Sequence, residues 1–254
     1  MTLGGWCAIA SPFAAELMGR AGYDWVCIDL QHGLIGYEPM LGMLQALSAS
    51  STPSLVRVAD SDPAQIMKAL DAGATGVVVP LVDSAEQAAG VVRACRYPPH
   101  GDRSWGPVRA SLLDRDFSPE RANREVICVV MIETPAAVAN IDAILEVPGV
   151  DGVLVGRNDL ALSSGVPLSM ADSSAQSQVV LSVKDACRRH LTVAGVAAGD
   201  TTSALRWLEA GFEMLVLPSD IALLTQGARA TLEALWDASG RSADERRGDE
   251  AVEL

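Results

Sequence analysis

Short apolar runs rich in β-branched residues recur along the chain, separated by longer stretches whose apolar residues fall at helical spacing. The runs span residues 6–10, 25–30, 54–58, 76–82, 127–132, 152–155, 192–197 and 213–217. Most are continuously apolar, the pattern of parallel strands covered on both faces. Helix boundaries are written between them. Ser61-Asp62-Pro63 sets a polar cap before a proline at the first helical position. Asp83-Ser84-Ala85-Glu86 reads as a capping box opening a helix over residues 85–95. Arg20-Ala21-Gly22, Asp71-Ala72-Gly73 and Glu209-Ala210-Gly211 each put glycine where a left-handed residue would stop a helix before the next strand.

Eight strands, each followed by a helix, predict a single α/β domain, a (β/α)₈ TIM barrel over residues 1–239. The alternative, a doubly wound open sheet, normally shows fewer strands. One irregular segment interrupts the repeat from Tyr97 to about Arg124, beginning YPPHGDRSWGPVRAS. A connection this long inside a compact domain is expected to be a functional loop or an oligomer contact. Residues 240–254 are almost free of large apolar side chains and are expected to form a solvated acidic tail.

The 254-residue chain carries a formal charge of -13, which phosphate backbones would repel, so nucleic acid is excluded as a partner. Small anionic substrates are not excluded, because a local arginine or metal ion overrides the global field. Cys7, Cys27, Cys95, Cys128 and Cys187 are scattered and never in C-x-x-C spacing, as expected for reduced cysteines of a cytoplasmic protein. The first residues lack a basic region, and no apolar run approaches the ~18 residues of a membrane span.

In such a barrel the chemistry gathers at the C-terminal ends of the strands. Glu133 and Asp159 follow directly from neighbouring apolar runs. Two carboxylates at one mouth suit a hard divalent cation, though helix caps and solvated strand ends read the same way. His32, in the Gly-flanked turn Gln31-His32-Gly33, could move a proton near neutral pH or could be a hydrogen-bonded loop residue. Arg57 ends the third run, where it could meet a substrate carboxylate or tie down Asp29. Trp6 opens the first run and could line a pocket or pack the barrel floor. Asp200 and Ser219-Asp220 follow the last two runs. The two lysines, Lys68 and Lys184, fall in helical stretches, which disfavours Schiff-base chemistry.

Several long segments in order resemble the HpcH/HpaI family of class II pyruvate-dependent aldolases. They are GYDWVCIDLQHG, LVRV, IMKALDAGATGVVVPLVDSAEQA, RYPPHGDRSWGP, VVMIETPAAVANIDAIL and VDGVLVGRNDLALSSG, and the resemblance covers about residues 4–237. It implies reversible aldol cleavage of 4-hydroxy-2-oxo acids to pyruvate, or a similar 2-oxo acid, and an aldehyde. Glu133 and Asp159 match the family's ligands for Mg²⁺, Mn²⁺ or Co²⁺. His32 matches its base, Asp71 the acid that pairs with that base across a subunit interface, and Arg57 the arginine at the 2-oxo oxygen. Trp6 matches an aromatic pocket residue, and Gln31 and Asn158 fall at substrate-facing positions. The resemblance also implies a homohexamer of dimers that exchange C-terminal helices. Three departures from the family pattern occur: Gln31 for Glu, Met131 for Gln, and the pair Arg157-Asn158 for Pro-Ala or Pro-Ser. Oxaloacetate decarboxylation on the same site, or metabolite binding without catalysis, are the alternatives.

Overall fold

Eight parallel strands pair in chain order and close into a barrel: β1 (Thr2–Cys7), β2 (Trp25–Asp29), β3 (Ser54–Arg57), β4 (Gly76–Val79), β5 (Ile127–Ile132), β6 (Gly152–Val155), β7 (Val193–Ala197) and β8 (Met214–Ser219). The structure is a computed structural model and describes residues 1–239; the tail expected over 240–254 lies outside the described residues. The helices are α1 (Pro12–Arg20), α2 (Tyr37–Ser48), α3 (Pro63–Asp71), α4 (Ala85–Cys95), α5 (Ala110–Leu113), α6 (Pro119–Glu125), α7 (Pro135–Ala139), α8 (Ile141–Leu145), α9 (Arg157–Ser163), α10 (Ser174–His190), α11 (Thr201–Glu209) and α12 (Asp220–Ser239). Among the described residues no helix is long and apolar enough to cross a membrane. All five cysteines are buried and unpaired.

The helix signals act as their chemistry predicts. Asp62 accepts the Ala64 amide ahead of Pro63, and Ser84 accepts the Gln87 amide at the start of α4; such caps are each worth about 1 kcal/mol. Gly22, Gly73 and Gly211 take φ of +95°, +95° and +92°, the left-handed stop that other side chains resist. The irregular segment after Tyr97 holds two short helices, α5 and α6.

Strand alternation divides the core in two. Val26, Ile28, Val56, Val77, Val130, Ile132 and Val153 point outward into the layer beneath the helices. Trp25, Cys27, Leu55, Val78, Val129, Met131, Leu154, Met214 and Val216 fill the barrel interior. The same parity carries Asp29, Arg57 and Glu133 to the top of that interior, one step beyond Cys27, Leu55 and Met131.

The first strand differs from expectation. It spans Thr2–Cys7, not residues 6–10. Gly4-Gly5 lies inside the strand, where the Trp25 indole occupies the space of a Gly4 side chain: a Cβ there would come within 2.1 Å of it. Trp6 is therefore the penultimate residue of β1, placed at the mouth and not at the floor.

Candidate active site

Asp29 and Arg57 are register partners at the ends of β2 and β3. Both are buried. Arg57 donates from Nε to Asp29 Oδ1 at 2.8 Å and from Nη2 to Oδ2 at 2.6 Å, a two-pronged ion pair. Asp29 also accepts the Trp6 indole N–H at 3.2 Å and the backbone amides of Gln31 at 3.0 Å and His32 at 3.2 Å. Burial pushes the Asp29 carboxyl up, but the Arg57 hydrogen bonds and charge more than offset that and leave it below its usual range. One carboxylate thus orients the arginine, the tryptophan and the turn that carries His32. The Trp6 ring lies 4.9 Å from the Arg57 guanidinium carbon. The remaining edge of Arg57 turns inward, with Nη1 4.0 Å from Met131 Sδ.

Glu133 follows β5 and is 1% exposed. Its Oε1 accepts the Leu81 amide at 2.8 Å, and Leu81 presents that amide from a left-handed conformation, φ +55°. Asp83, two residues further on, is hydrogen-bonded to Thr134, the N-cap of α7. The other carboxylate oxygen lies over Gly156, where a Cβ would stand 2.3 Å from Oε2. Asp159 follows three residues later, half-buried in the first turn of α9. Burial raises the Glu133 pKa; the Leu81 hydrogen bond opposes this, and the Asp159 charge reinforces it. Among the described residues neither acid takes part in an ion pair. Two carboxylates whose charges act on each other, with a glycine cradle beneath one of them, fit a hard divalent cation. No cluster of three or more His, Cys, Asp or Glu occurs among the described residues, so water or substrate oxygens would complete its shell.

The mouth encloses a cavity of about 410 Å³ lined by Trp6, His32, Arg57, Met131, Arg157, Asn158 and Asp159, with Ala197, Pro218 and Ser219 closing the far side. His32 and Asn158 are exposed at its rim. Gln31 does not line it: its side chain is half-buried, and Oε1 is enclosed without a hydrogen-bond partner. Asp71 ends α3, and helices of the barrel run back against the strands, so it sits at the opposite end from His32 of the same chain. There it accepts from buried Arg103 at 2.7 Å. Asp200 and Asp220 are structural. Asp200 caps α11 through Ser203, while Asp220 accepts the amides of Ala8 at 2.8 Å and Ile9 at 3.1 Å and so closes the β1–β8 seam.

Asp29 is central to this arrangement, and its signal in the sequence is its parity with Trp25 and Cys27, four and two residues earlier. Leu81 left no signal, since its contribution is a backbone amide.

The description HpcH/HpaI aldolase/citrate lyase matches residues 3–224, which makes the protein a carbon–carbon lyase built on a barrel. The chain belongs to the HpcH/HpaI aldolase/citrate lyase family. It is 35% identical to a 2-dehydro-3,6-dideoxy-6-sulfogluconate aldolase of Pseudomonas putida, over 96% of this chain and 94% of that protein. It is 37% identical to a hydroxypyruvate/pyruvate aldolase of Roseovarius nubinhibens, over 93% and 92%. Among solved structures, a family member from Burkholderia cenocepacia J2315 superposes with a TM-score of 0.87 at 32% identity, covering 92% of this chain and 94% of that one.

Proposed function

We propose that the protein catalyses reversible aldol cleavage of a 4-hydroxy-2-oxo acid to pyruvate, or a close 2-oxo acid, and an aldehyde. The observation that carries this reading is buried Glu133, cradled over Gly156 and acted on by the charge of Asp159, above the same strands as a pre-oriented arginine.

Glu133 and Asp159 would hold Mg²⁺, Mn²⁺ or Co²⁺. When bound, such an ion acts as a Lewis acid that makes the methyl protons beside the 2-oxo group easier to remove. Arg57, held by Asp29, offers its free edge to the negative charge that develops on the 2-oxo oxygen. His32 stands at the rim of the cavity and takes the methyl proton in addition, or the 4-hydroxyl proton in cleavage. Trp6 and Met131 wall the 2-oxo acid, and Asn158 offers a polar edge to the incoming aldehyde. Asp71 would meet a His32 from another copy of the chain, which supports a reading in which the active enzyme is an oligomer.

Self-association has a physical basis in α12. Only Asp220 of this helix is buried, while Ile221, Leu224, Leu232 and Leu235 are exposed. A groove on the outside of β8, lined by Leu3, Tyr23, Ala204, Leu208 and Leu215, has matching chemistry. A partner's α12 in that groove gives the dimers of a hexamer, and the buried, unpaired thiols suit a cytoplasmic setting.

The test is exchange of pyruvate methyl protons in D₂O, followed by an aldehyde screen with Mg²⁺, Mn²⁺ and Co²⁺. Exchange that requires a divalent ion, stops with chelator and is lost in Glu133→Gln supports the reaction. Exchange indifferent to all three would overturn it.

A further inference from the structure

Arg157 opens α9 two residues before Asp159 and lines the mouth cavity. β6 and β3 stand three positions apart on the eight-strand ring, so Arg157 and Arg57 approach the cavity from different sides. The Arg157 side chain is 9% exposed and clamped. Its Nε donates to the Ala197 carbonyl at 2.9 Å, its Nη1 is bonded to Asp172, and the Trp207 ring lies 5.6 Å from its guanidinium carbon. Among the described residues nothing accepts a hydrogen bond from Nη2.

The charge balance on this side differs from that at Arg57. Asp29 neutralises Arg57 with both oxygens. Asp172 must serve two guanidiniums, because Arg206 reaches the same oxygen at 2.7 Å and packs 4.5 Å from the centre of the same Trp207 ring. Asp200, the next carboxylate along, is exposed and occupied as the cap of α11. Arg157 and Arg206 share a single Asp172 oxygen, so Arg157 is less fully neutralised than Arg57, which holds both oxygens of its own carboxylate. A guanidinium held rigid before binding loses little freedom on meeting an oxyanion.

We propose that Arg157 selects the second substrate, an aldehyde bearing an oxyanion (carboxylate, sulfonate or phosphate) remote from its carbonyl carbon. The inference rests on the aldolase reading and names the acceptor class for the same site. In addition the oxyanion docks on Arg157 while the aldehyde carbon faces the 2-oxo acid; in cleavage the same contact holds the departing half. Asn158 and Ser219, which also line the cavity, offer neutral donors and acceptors to hydroxyl groups between the two ends.

The experiment measures kcat/KM with pyruvate for matched aldehydes: a carboxylate-bearing one and its methyl ester, with sulfonate and phosphate counterparts to separate the anions. Wild type is expected to favour at least one charged member by about tenfold or more. Arg157→Leu should bring that ratio towards one, mainly through the acceptor KM; Arg157→Lys should keep part of it. Asp172→Asn, which removes the shared counter-charge, should raise it. A variant that merely folds poorly lowers both members of a pair and leaves the ratio unchanged. A wild-type ratio near one for every anion, or a ratio untouched by Arg157→Leu, would overturn the proposal. Wild-type exchange of pyruvate methyl protons, which needs no acceptor, separates the two readings. Its absence overturns the aldolase reaction and this inference with it, whereas exchange with ratios near one overturns Arg157 alone.

Discussion

Asp29 and Arg57 meet edge to edge at the ends of adjacent strands, through contacts of 2.8 and 2.6 Å, inside the barrel mouth. Removing one partner of a buried ion pair leaves the other charged and unsolvated, at a cost of about 3–5 kcal/mol. Asp29→Ala also strands the Trp6 indole and two turn amides. It is expected to lower stability by that order in urea denaturation and to abolish pyruvate proton exchange. Arg57→Lys keeps the charge but loses the fork, so it should fold with a smaller loss of stability while exchange falls sharply. Exchange at the wild-type rate in Arg57→Lys would show that the arginine does not touch the reacting oxygen.

The two buried acids give opposite pH slopes. Asp29 lies below its ordinary range in the folded chain, so its contribution is present above the unfolded aspartate pKa of about 3.9 and is lost as pH falls through the folded value. Glu133 lies above its ordinary range, so the folded chain binds more protons there than the unfolded chain. Its effect is therefore a loss of stability as pH rises from the unfolded glutamate pKa of about 4.3 through the folded value. Metal-free Glu133→Gln should lack this decline, which the difference between wild-type and variant denaturation curves from pH 4 to 8 reads directly. Adding Mn²⁺ at neutral pH should raise the wild-type Tm and leave that of Glu133→Gln almost unmoved.

Gly156 is a steric requirement of the acid pair. A Cβ at this position would stand 2.3 Å from Glu133 Oε2 and 2.9 Å from Glu133 Cβ. Overpacking of this kind costs about 1–3 kcal/mol, and here the moving part is a proposed metal ligand. Gly156→Ala is expected to fold, to bind Mn²⁺ much more weakly in calorimetric titration and to lose most activity. Wild-type Mn²⁺ affinity in this variant would remove Glu133 from the metal site.

Much of this arrangement was legible because it follows from period and punctuation. The eight runs, the caps at Asp62 and Ser84 and the stops at Gly22, Gly73 and Gly211 each state a local rule that the barrel obeys. Glu133 and Asp159 were legible as strand-end carboxylates. What escaped depends on neighbours far along the chain. β1 was read four residues late because its first residues fall outside the apolar run, and the Trp25 ring explains the glycine inside the strand there. Arg57 had two readings open, a substrate contact or a tie to Asp29. The structure shows the tie and leaves Nη1 on the inner side, so the proposed contact builds on it. Leu81 acts through its amide and Arg157 through a clamp drawn from three elements, which no single stretch of sequence encodes.

His32 and Asp71 sit at opposite ends of one barrel, and Asp71 is engaged with Arg103, itself stacked 4.5 Å from the centre of the Tyr97 ring. Trp105, Val108 and Leu112 on the same long connection are large exposed apolar side chains, suited to contact with a neighbouring subunit. If a neighbour supplies the acid, the two substitutions must complement. His32→Ala and Asp71→Ala proteins, each nearly inactive alone, should regain activity when unfolded together and refolded as mixed oligomers, because some sites then pair an intact His32 with an intact Asp71. A mixture of separately refolded proteins should stay inactive until subunits exchange. Mixed oligomers, verified by differential tagging, that gain nothing would place the two residues in separate functions.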